Sequence, residues 1–150
     1  MNDLALQRLT AAGWSPERNV DITPIERDYA EAGMQIPEQL QSFFSSYGFL
    51  RIQYDIQHIE PECHYFDPTG IFRIYDKNSF NNLFHDYGID GMVYPIGSAY
   101  RDNMTIYFHS NGYYYLYMEC GPLIQAGNTI DSFLNGLIGD DAHDWVYIDD

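Results

Sequence analysis

Residues 104–119 read MTIYFH, then SNG, then YYYLYME, and this pattern is the clearest β signal in the chain. The Asn111-Gly112 pair tolerates the positive φ that a tight β-hairpin turn requires. A two-residue loop would place Phe108 opposite Tyr115, whereas a three-residue loop would shift the register by one residue. In either register both faces are apolar or aromatic, so we expect a central hairpin and not a solvated edge. Its tyrosines are expected mostly in the core, with a recognition surface as the alternative.

Three helices are predicted ahead of the strands. Residues 3–12 form a short helix capped by Asn2 or Asp3. The sequence Thr23-Pro24-Ile25-Glu26 predicts a second helix, with Thr23 as its cap and Glu26 completing a capping box. The third helix lies between Pro37 and Gly48. Its apolar residues follow the i, i+3, i+4, i+7 spacing and are Leu40, Phe43, Phe44 and Tyr47.

Between the third helix and the hairpin, strand and helix patterns alternate. Leu50–Ile56 alternates like a strand, and Cys63–Phe66 is placed to pair with it. Asp67-Pro68-Thr69-Gly70 predicts a turn, followed by a possible short strand at Phe72–Tyr75. The remaining predicted elements are a helix over Phe80–Tyr87 and a strand over Met92–Ile96.

After the hairpin, residues 129–138 show a clean apolar helical stripe that ends at Gly139. The order is helices, then strands with one inserted helix, then a helix, which is typical of an α+β fold. We therefore predict one domain over residues 1–150. Its central, mainly antiparallel sheet is flanked by the N-terminal helices, the inserted helix and the C-terminal helix.

The charge balance is the most informative bulk property. Twenty-two Asp and Glu residues face seven Lys and Arg, giving a formal net charge of -15. This charge opposes binding to nucleic acid and to anionic membranes, and it favours encounter with a basic protein partner. Solubility alone is the competing explanation for such acidity. We expect a monomer or a weak homodimer.

Cysteine usage and the first residues indicate the compartment. Cys63 and Cys120 are two thiols far apart in sequence, which is not a disulfide framework and fits a reducing environment. The opening Met1–Leu4 shows no basic segment followed by an apolar core, and no apolar run approaches the length of a membrane span. These features predict a cytoplasmic protein.

The candidate partner-binding residues are acidic. Blocks of like charge are often interaction tails, and the segment 140–150 has five aspartates and no lysine or arginine. A solvated end that aids solubility is the alternative. Two further acids lie in what we interpret as a polar loop around Pro61. The candidate set is Asp140, Asp141, Asp144, Asp149, Asp150, Glu60 and Glu62.

Motifs for catalysis, cofactors or metals are weak. No phosphate-binding loop, dinucleotide fingerprint or nucleophile elbow is present. His58, Cys63 and His64 lie close together with Glu60 and Glu62, but zinc sites usually need two separated ligand pairs. We therefore predict no catalytic residue, no cofactor and no metal. A hydrolase that uses the Cys63–His64 region is the least favoured alternative.

Several segments together resemble one protein family. Ala12-Gly13-Trp14-Ser15-Pro16-Glu17-Arg18 is similar to the AGW-x-P-x-R opening of one branch of the SUKH superfamily. Phe43–Leu50 resembles its F-L-x-x-Y-G-G-L helix end, with Phe49 in place of the second glycine. Tyr94–Gly97 resembles its P-I-G strand end. The hairpin, with His109 where a small or acidic residue is common, and Leu134–Leu137 resemble its closing elements.

The resemblance implies a function as well as a fold. SUKH proteins act as immunity proteins of bacterial polymorphic-toxin systems, which bind a cognate toxin, often a nuclease, inside the producing cell. The resemblance implies no catalytic residues, and no toxin-contacting position transfers by motif. A nuclease domain has a basic cleft because it must hold phosphates, so an acidic inhibitor is complementary to it. A general protein-interaction or regulatory scaffold is the alternative function.

Overall fold

The computed structural model describes residues 1–56 and 59–149, with only the backbone described at residues 59–60. The helices are α1 (Asp3–Ala11), α2 (Thr23–Glu31), α3 (Glu38–Tyr47), α4 (Thr69–Ile74), α5 (Lys77–Asp86) and α6 (Ile130–Ile138). The strands are β1 (Arg51–Ile56), β2 (Ile59–Tyr65), β3 (Val93–Ala99), β4 (Met104–His109), β5 (Tyr114–Tyr117), β6 (Leu123–Gln125) and β7 (Val146–Ile148). No helix in these described ranges is long and apolar enough to cross a bilayer.

The strands form one antiparallel sheet in chain order, from β1 at one edge to β7 at the other. The hairpin of β4 and β5 is central, as predicted. Phe108 lies opposite Tyr114 and Tyr107 opposite Tyr115, which is the register of the three-residue loop. The predicted α+β class is thus confirmed, with an antiparallel sheet flanked by helices.

The hairpin supplies core residues to both faces of the sheet, because successive strand residues point in opposite directions. Tyr114 stacks on Phe133 of α6 with ring centroids 4.6 Å apart. Its neighbour Tyr115 meets Phe84 of α5 edge-on at 5.0 Å. Tyr107, Tyr114 and Tyr115 are all buried, so these tyrosines belong to the core.

The segment after β2 differs from its prediction. We expected a turn at Asp67–Gly70 and a strand at Phe72–Tyr75, but residues 69–74 form helix α4. The Asp67 carboxylate accepts the Thr69 backbone N–H at 3.0 Å, and the Thr69 hydroxyl donates to Asp28 of α2 at 2.7 Å. These side-chain bonds start the helix and dock it on α2, so two helices, not one, are inserted between β2 and β3.

The cap of α2 is also corrected. Thr23 is the first helical residue, and no side-chain bond from it caps the helix. Asp21 takes that role, because its carboxylate accepts the Thr23 backbone N–H at 3.0 Å and the Thr23 hydroxyl at 2.6 Å. In α1 the predicted cap Asn2 is confirmed, since it accepts the Ala5 N–H at 2.9 Å.

At two positions in the segments that resemble the SUKH superfamily, the backbone geometry explains why the pattern has glycine. A Cβ atom at Gly97 would lie 2.1 Å from the Tyr65 carbonyl oxygen, so only glycine lets β3 approach β2 there. Phe49 has φ 65°, in the left-handed region that favours glycine. A glycine is what the resembling pattern has at that position.

Candidate functional site

The segment that holds the predicted acids is ordered at the sheet edge. Strand β7 pairs with β6, with Ile148 opposite Leu123 and Val146 opposite Gln125. The indole of Trp145 packs against Gly136 of α6, where a Cβ atom would lie 2.2 Å from the ring. The segment is therefore held by strand pairing and by one aromatic contact. Asp150 lies outside the described residues.

Cations partly offset the acids of this segment. Asp140 is exposed and lies 3.5 Å from the Arg8 guanidinium. His143 stands between Asp141 and Asp144, with Nδ1 paired to Asp141 and Nε2 3.0 Å from Asp144. The hydrogen bond to Asp141 is the main cause that raises the pKa of His143, so its positive charge persists to higher pH. Asp149 is exposed.

Glu62 lies in strand β2 and not in the polar loop that the sequence suggested. Its carboxylate is nearly buried, 3.6 Å from Nε of Arg101. The side chain of Glu60 is outside the described part of the chain, although its backbone belongs to β2.

The phenol of Tyr100 shows which acids come together. Burial raises the pKa of Tyr100 to about 12, and Glu62, Tyr147 and Asp140 add to this shift. Glu62 and Asp140 thus both act on this one phenol although the sequence separates them. We call the tail surface the set Glu62, Asp140, Asp141, Asp144, Tyr147 and Asp149.

A buried histidine, His64, is hydrogen-bonded to the backbone of Tyr100. The Tyr100 backbone N–H donates to Nδ1 of His64 at 3.1 Å, so Nε2 carries the ring proton and faces the Tyr54 hydroxyl at 2.8 Å. The Tyr54 hydroxyl in turn donates to the Leu137 carbonyl at 3.4 Å. Burial, reinforced by the nearby Arg8, lowers the pKa of His64 to about 3. The neutral ring is therefore fully bonded.

This arrangement leaves the Cys63–His64 region without a catalytic geometry. Neighbouring strand residues point to opposite faces of the sheet, so the Cys63 thiol does not share a face with the imidazole. The thiol lies 3.6 Å from the Arg51 guanidinium instead. Both ring nitrogens of His64 are already hydrogen-bonded. His58, the third member of the sequence cluster, lies outside the described residues.

A tight turn joins this buried network to the opposite side of the sheet. Tyr100, Arg101 and Asp102 are consecutive residues with φ of 53°, 57° and 65°. The left-handed region disfavours residues with a side chain, so the contacts around the turn must hold it. The Arg101 N–H bonds the Cys63 carbonyl at 2.9 Å, and the Ser98 hydroxyl donates to Asp102 at 2.6 Å.

A second surface lies at the end of α4, where sequence reasoning found no site. Ile74 is 74% exposed and its neighbour Tyr75 is 44% exposed. We call this apolar pair the α4 ridge. Two clefts flank it, with volumes of about 610 and 700 Å³, and both residues of the ridge line both clefts. The ridge is therefore an exposed apolar projection between two concavities.

The cleft between the ridge and the sheet, the sheet-side cleft, combines aromatic walls with acids. Its tyrosines are Tyr65, Tyr75, Tyr107 and Tyr117. Its carboxylates are Asp67, Asp102 and Glu119. No lysine or arginine is among the described residues that line it. The cleft between α4 and α2, the α2-side cleft, has Asp28, Glu31 and Asp76 with one cation, Arg73.

The α4 ridge has the composition of a protein-binding site. Interfaces are built from exposed apolar or aromatic anchors inside a polar rim. Here the exposed apolar residues are Ile74 and Tyr75, and the described charged residues of the flanking clefts are six carboxylates and one arginine. The sequence held one hint, the apolar run around Phe72, but exposure and concavity are properties of the folded chain.

One family model matches the chain, that of SUKH-3 immunity protein, over residues 1–140. No curated protein and no solved structure matches it. The match agrees with the superfamily that the sequence segments resemble. Because it covers nearly all of the sequence, the chain belongs to the SUKH-3 immunity protein family.

Proposed function

We propose that this protein binds and neutralises a cognate polymorphic toxin, and that the target is the basic catalytic domain of a nuclease. The observation that carries the proposal is the α4 ridge, an exposed apolar pair between clefts lined by six carboxylates and one arginine. A partner that fits this surface presents an apolar patch surrounded by cations. Family membership supports the immunity function, and the net charge of -15 supports a basic target.

The two surfaces have different tasks in this proposal. The acids of the tail surface, together with Asp150 and Glu60, extend the negative field that attracts the toxin. Long-range attraction between opposite fields raises association rates to about 10⁸–10⁹ M⁻¹s⁻¹ at low salt. Buried aromatic and aliphatic anchors then slow dissociation. The α4 ridge supplies those anchors.

Neutralisation follows from occlusion. A nuclease cleft must bind phosphates with cations, and the same cations are attracted to the acid-lined clefts beside the ridge. While the complex lasts, the substrate has no access to the occupied cations. The protein performs no chemistry itself and acts in the cytoplasm as one domain, a monomer or weak homodimer. Its charge keeps it away from nucleic acid and anionic membranes.

Co-expression tests this function. The probe is the C-terminal toxin domain encoded by the neighbouring gene, produced in cells with and without this protein. We expect survival only with the protein, a co-purifying complex, and loss of nuclease activity on added plasmid DNA. Continued killing without a complex would refute the proposal. Protection against a toxin domain that does not cut DNA would support the immunity function and contradict the proposal that the target is a nuclease. Binding to non-toxin proteins alone would instead favour the scaffold function.

A further inference from the structure

The sheet-side cleft has a composition that selects one kind of side chain. Its floor is Tyr107, which is only 3% exposed and meets Phe84 edge-on with ring centroids 5.5 Å apart. The rings of Tyr75 and Tyr117 also line it, as does the ring of Tyr65, on which the Arg51 guanidinium of this chain stacks at 4.1 Å. An aromatic lining of this kind accommodates a flat or apolar group. A small hydrated ion would gain little from it.

Two carboxylates of the cleft are held in place by neutral donors. Asp67 accepts the Tyr65 hydroxyl at 3.1 Å and the Thr69 N–H at 3.0 Å. Asp102 accepts the Ser98 hydroxyl at 2.6 Å. A carboxylate has about four acceptor positions, so both retain capacity for further donors. Their negative charge is fixed in position without being neutralised by these partners.

Arginine matches both features of the cleft. Its planar guanidinium stacks on aromatic rings, donates up to five hydrogen bonds and is less strongly hydrated than an ammonium group. Charge-assisted bonds to carboxylates are the strong class of hydrogen bond. A lysine would satisfy the charge but not the stacking. A volume of about 610 Å³ holds one long side chain with the backbone that carries it.

We propose that the sheet-side cleft receives an arginine side chain of the toxin. The guanidinium lies among the tyrosine rings and donates to Asp67, Asp102 and Glu119. This inference rests on the proposed function for the identity of the partner, but the chemistry of the cleft is a property of this chain alone. The inference predicts that the cleft binds a guanidinium more tightly than a lysine side chain or a neutral side chain.

A small probe tests the cleft without any toxin. Acetyl-arginine-methylamide is titrated into the isotope-labelled protein and followed by NMR, in parallel with the lysine and citrulline compounds. Citrulline has the shape of arginine without its charge. We expect shifts at Tyr75, Tyr107 and Asp102, and binding at least tenfold weaker for citrulline and measurably weaker for lysine. Equal binding of all three compounds, or shifts confined to other residues, overturns the inference.

The test variant is Asp102→Asn combined with Glu119→Gln. Asparagine tolerates the left-handed backbone at position 102, so this change removes charge without disturbing the turn. The matched control is Asp86→Asn combined with Glu17→Gln, which removes the same charge from exposed positions outside both clefts and the tail surface. We expect at least tenfold weaker arginine binding in the test variant and no change in the control. Equal losses in both variants overturn the inference.

The toxin domain separates this inference from the proposed function. If it binds the wild-type protein and the test variant equally, the arginine site fails while the immunity function stands. If it does not bind the wild-type protein at all, the proposed function fails, and the small-probe titration still decides the chemistry of the cleft. A tenfold or larger loss of toxin affinity in the test variant alone supports both.

Discussion

The tail surface and the α4 ridge are both acidic, but different neighbours surround their charges. On the tail surface Arg8 lies beside Asp140, Arg101 beside Glu62, and His143 between Asp141 and Asp144. In the sheet-side cleft Asp67 and Asp102 accept hydrogen bonds from two hydroxyl groups and one backbone N–H, and the Arg51 guanidinium lies 4.1 Å from the centroid of the Tyr65 ring. The first arrangement partly neutralises charge within the molecule, and the second leaves Asp67 and Asp102 able to accept further donors.

This difference teaches that charge density alone does not locate a binding site. The sequence shows where acids are frequent, and on that basis it favoured the segment 140–150. Binding energy depends on the apolar surface that loses water beside the charge, and the exposed apolar residues of the α4 ridge, Ile74 and Tyr75, line both clefts described above. The comparison favours our proposal that the ridge makes the tight contact and that the tail surface supplies long-range attraction.

The largest expected effect separates the two surfaces directly. Tyr75→Ala should weaken toxin binding about 30-fold or more, because loss of a central anchor costs at least about 2 kcal/mol. The matched control is Tyr147→Ala, since Tyr147 is 67% exposed on β7 and belongs to the tail surface. Surface plasmon resonance with the immobilised toxin domain should show faster dissociation for the first variant only. A larger loss for Tyr147→Ala would reverse the assignment.

The next effect concerns stability below the tail surface. The folded pKa of His64 is about 3, against about 6.5 when unfolded, so between these values the unfolded chain binds the extra proton. The free energy of unfolding should therefore fall as pH falls, by about 2–3 kcal/mol between pH 6.5 and 4.5. Urea unfolding of the wild type and His64→Gln at each pH isolates this contribution, since both share the same carboxylates.

We expect the stability difference between these two proteins to shrink steadily as the solution is acidified. A constant difference would show that folding does not lower the pKa of His64.

A pair of glycine substitutions compares the supports of the two surfaces. Gly136→Ala should lower the free energy of unfolding by about 1–3 kcal/mol, because its methyl group would overlap the Trp145 indole. Hydrogen exchange at β7 should accelerate as the segment detaches. The control Gly70→Ala lies in α4 with open space around it, and should raise the free energy by about 0.5–1 kcal/mol. Thermal unfolding measures both, and unchanged exchange at β7 would contradict the anchoring role of Trp145.

The smallest expected effect comes from the aspartates of the segment 140–150, which the sequence analysis gave as candidate partner-binding residues. Replacing them by asparagine should slow toxin association by about 3–10-fold and flatten its salt dependence, with dissociation unchanged. The positions are Asp140, Asp141, Asp144, Asp149 and Asp150. Stopped-flow association at several salt concentrations measures the change. Unchanged association rates would assign this segment to solubility.

Much of the fold was predictable because its signals are local. The hairpin followed from Asn111-Gly112 between aromatic runs, and α3 and α6 followed from their apolar spacing. Helix α4 was not predictable in this way, because besides the local bond from Asp67 its first residue, Thr69, donates its hydroxyl to Asp28 of α2. That contact joins residues 41 positions apart, and no local pattern encodes it.

The candidate site was predictable only in its charge. The sequence analysis placed Ile74 and Tyr75 in a short strand, whereas the fold leaves them exposed at the end of α4. Asp67, Asp102 and Glu119 come from three separate segments, and the sheet collects them in one cleft. Conversely, Glu62 read as a loop acid, and pairing of β2 nearly buries it.

The left-handed turn Tyr100–Asp102 fixes the distance between the His64 network and the sheet-side cleft. Tyr100 bonds His64 on one side of the turn, and Asp102 lines the sheet-side cleft on the other. A partner that contacted both sides of the turn would find them at a distance that these three constrained residues set. One inserted or deleted residue in the turn would change that spacing while leaving every contact group in the chain.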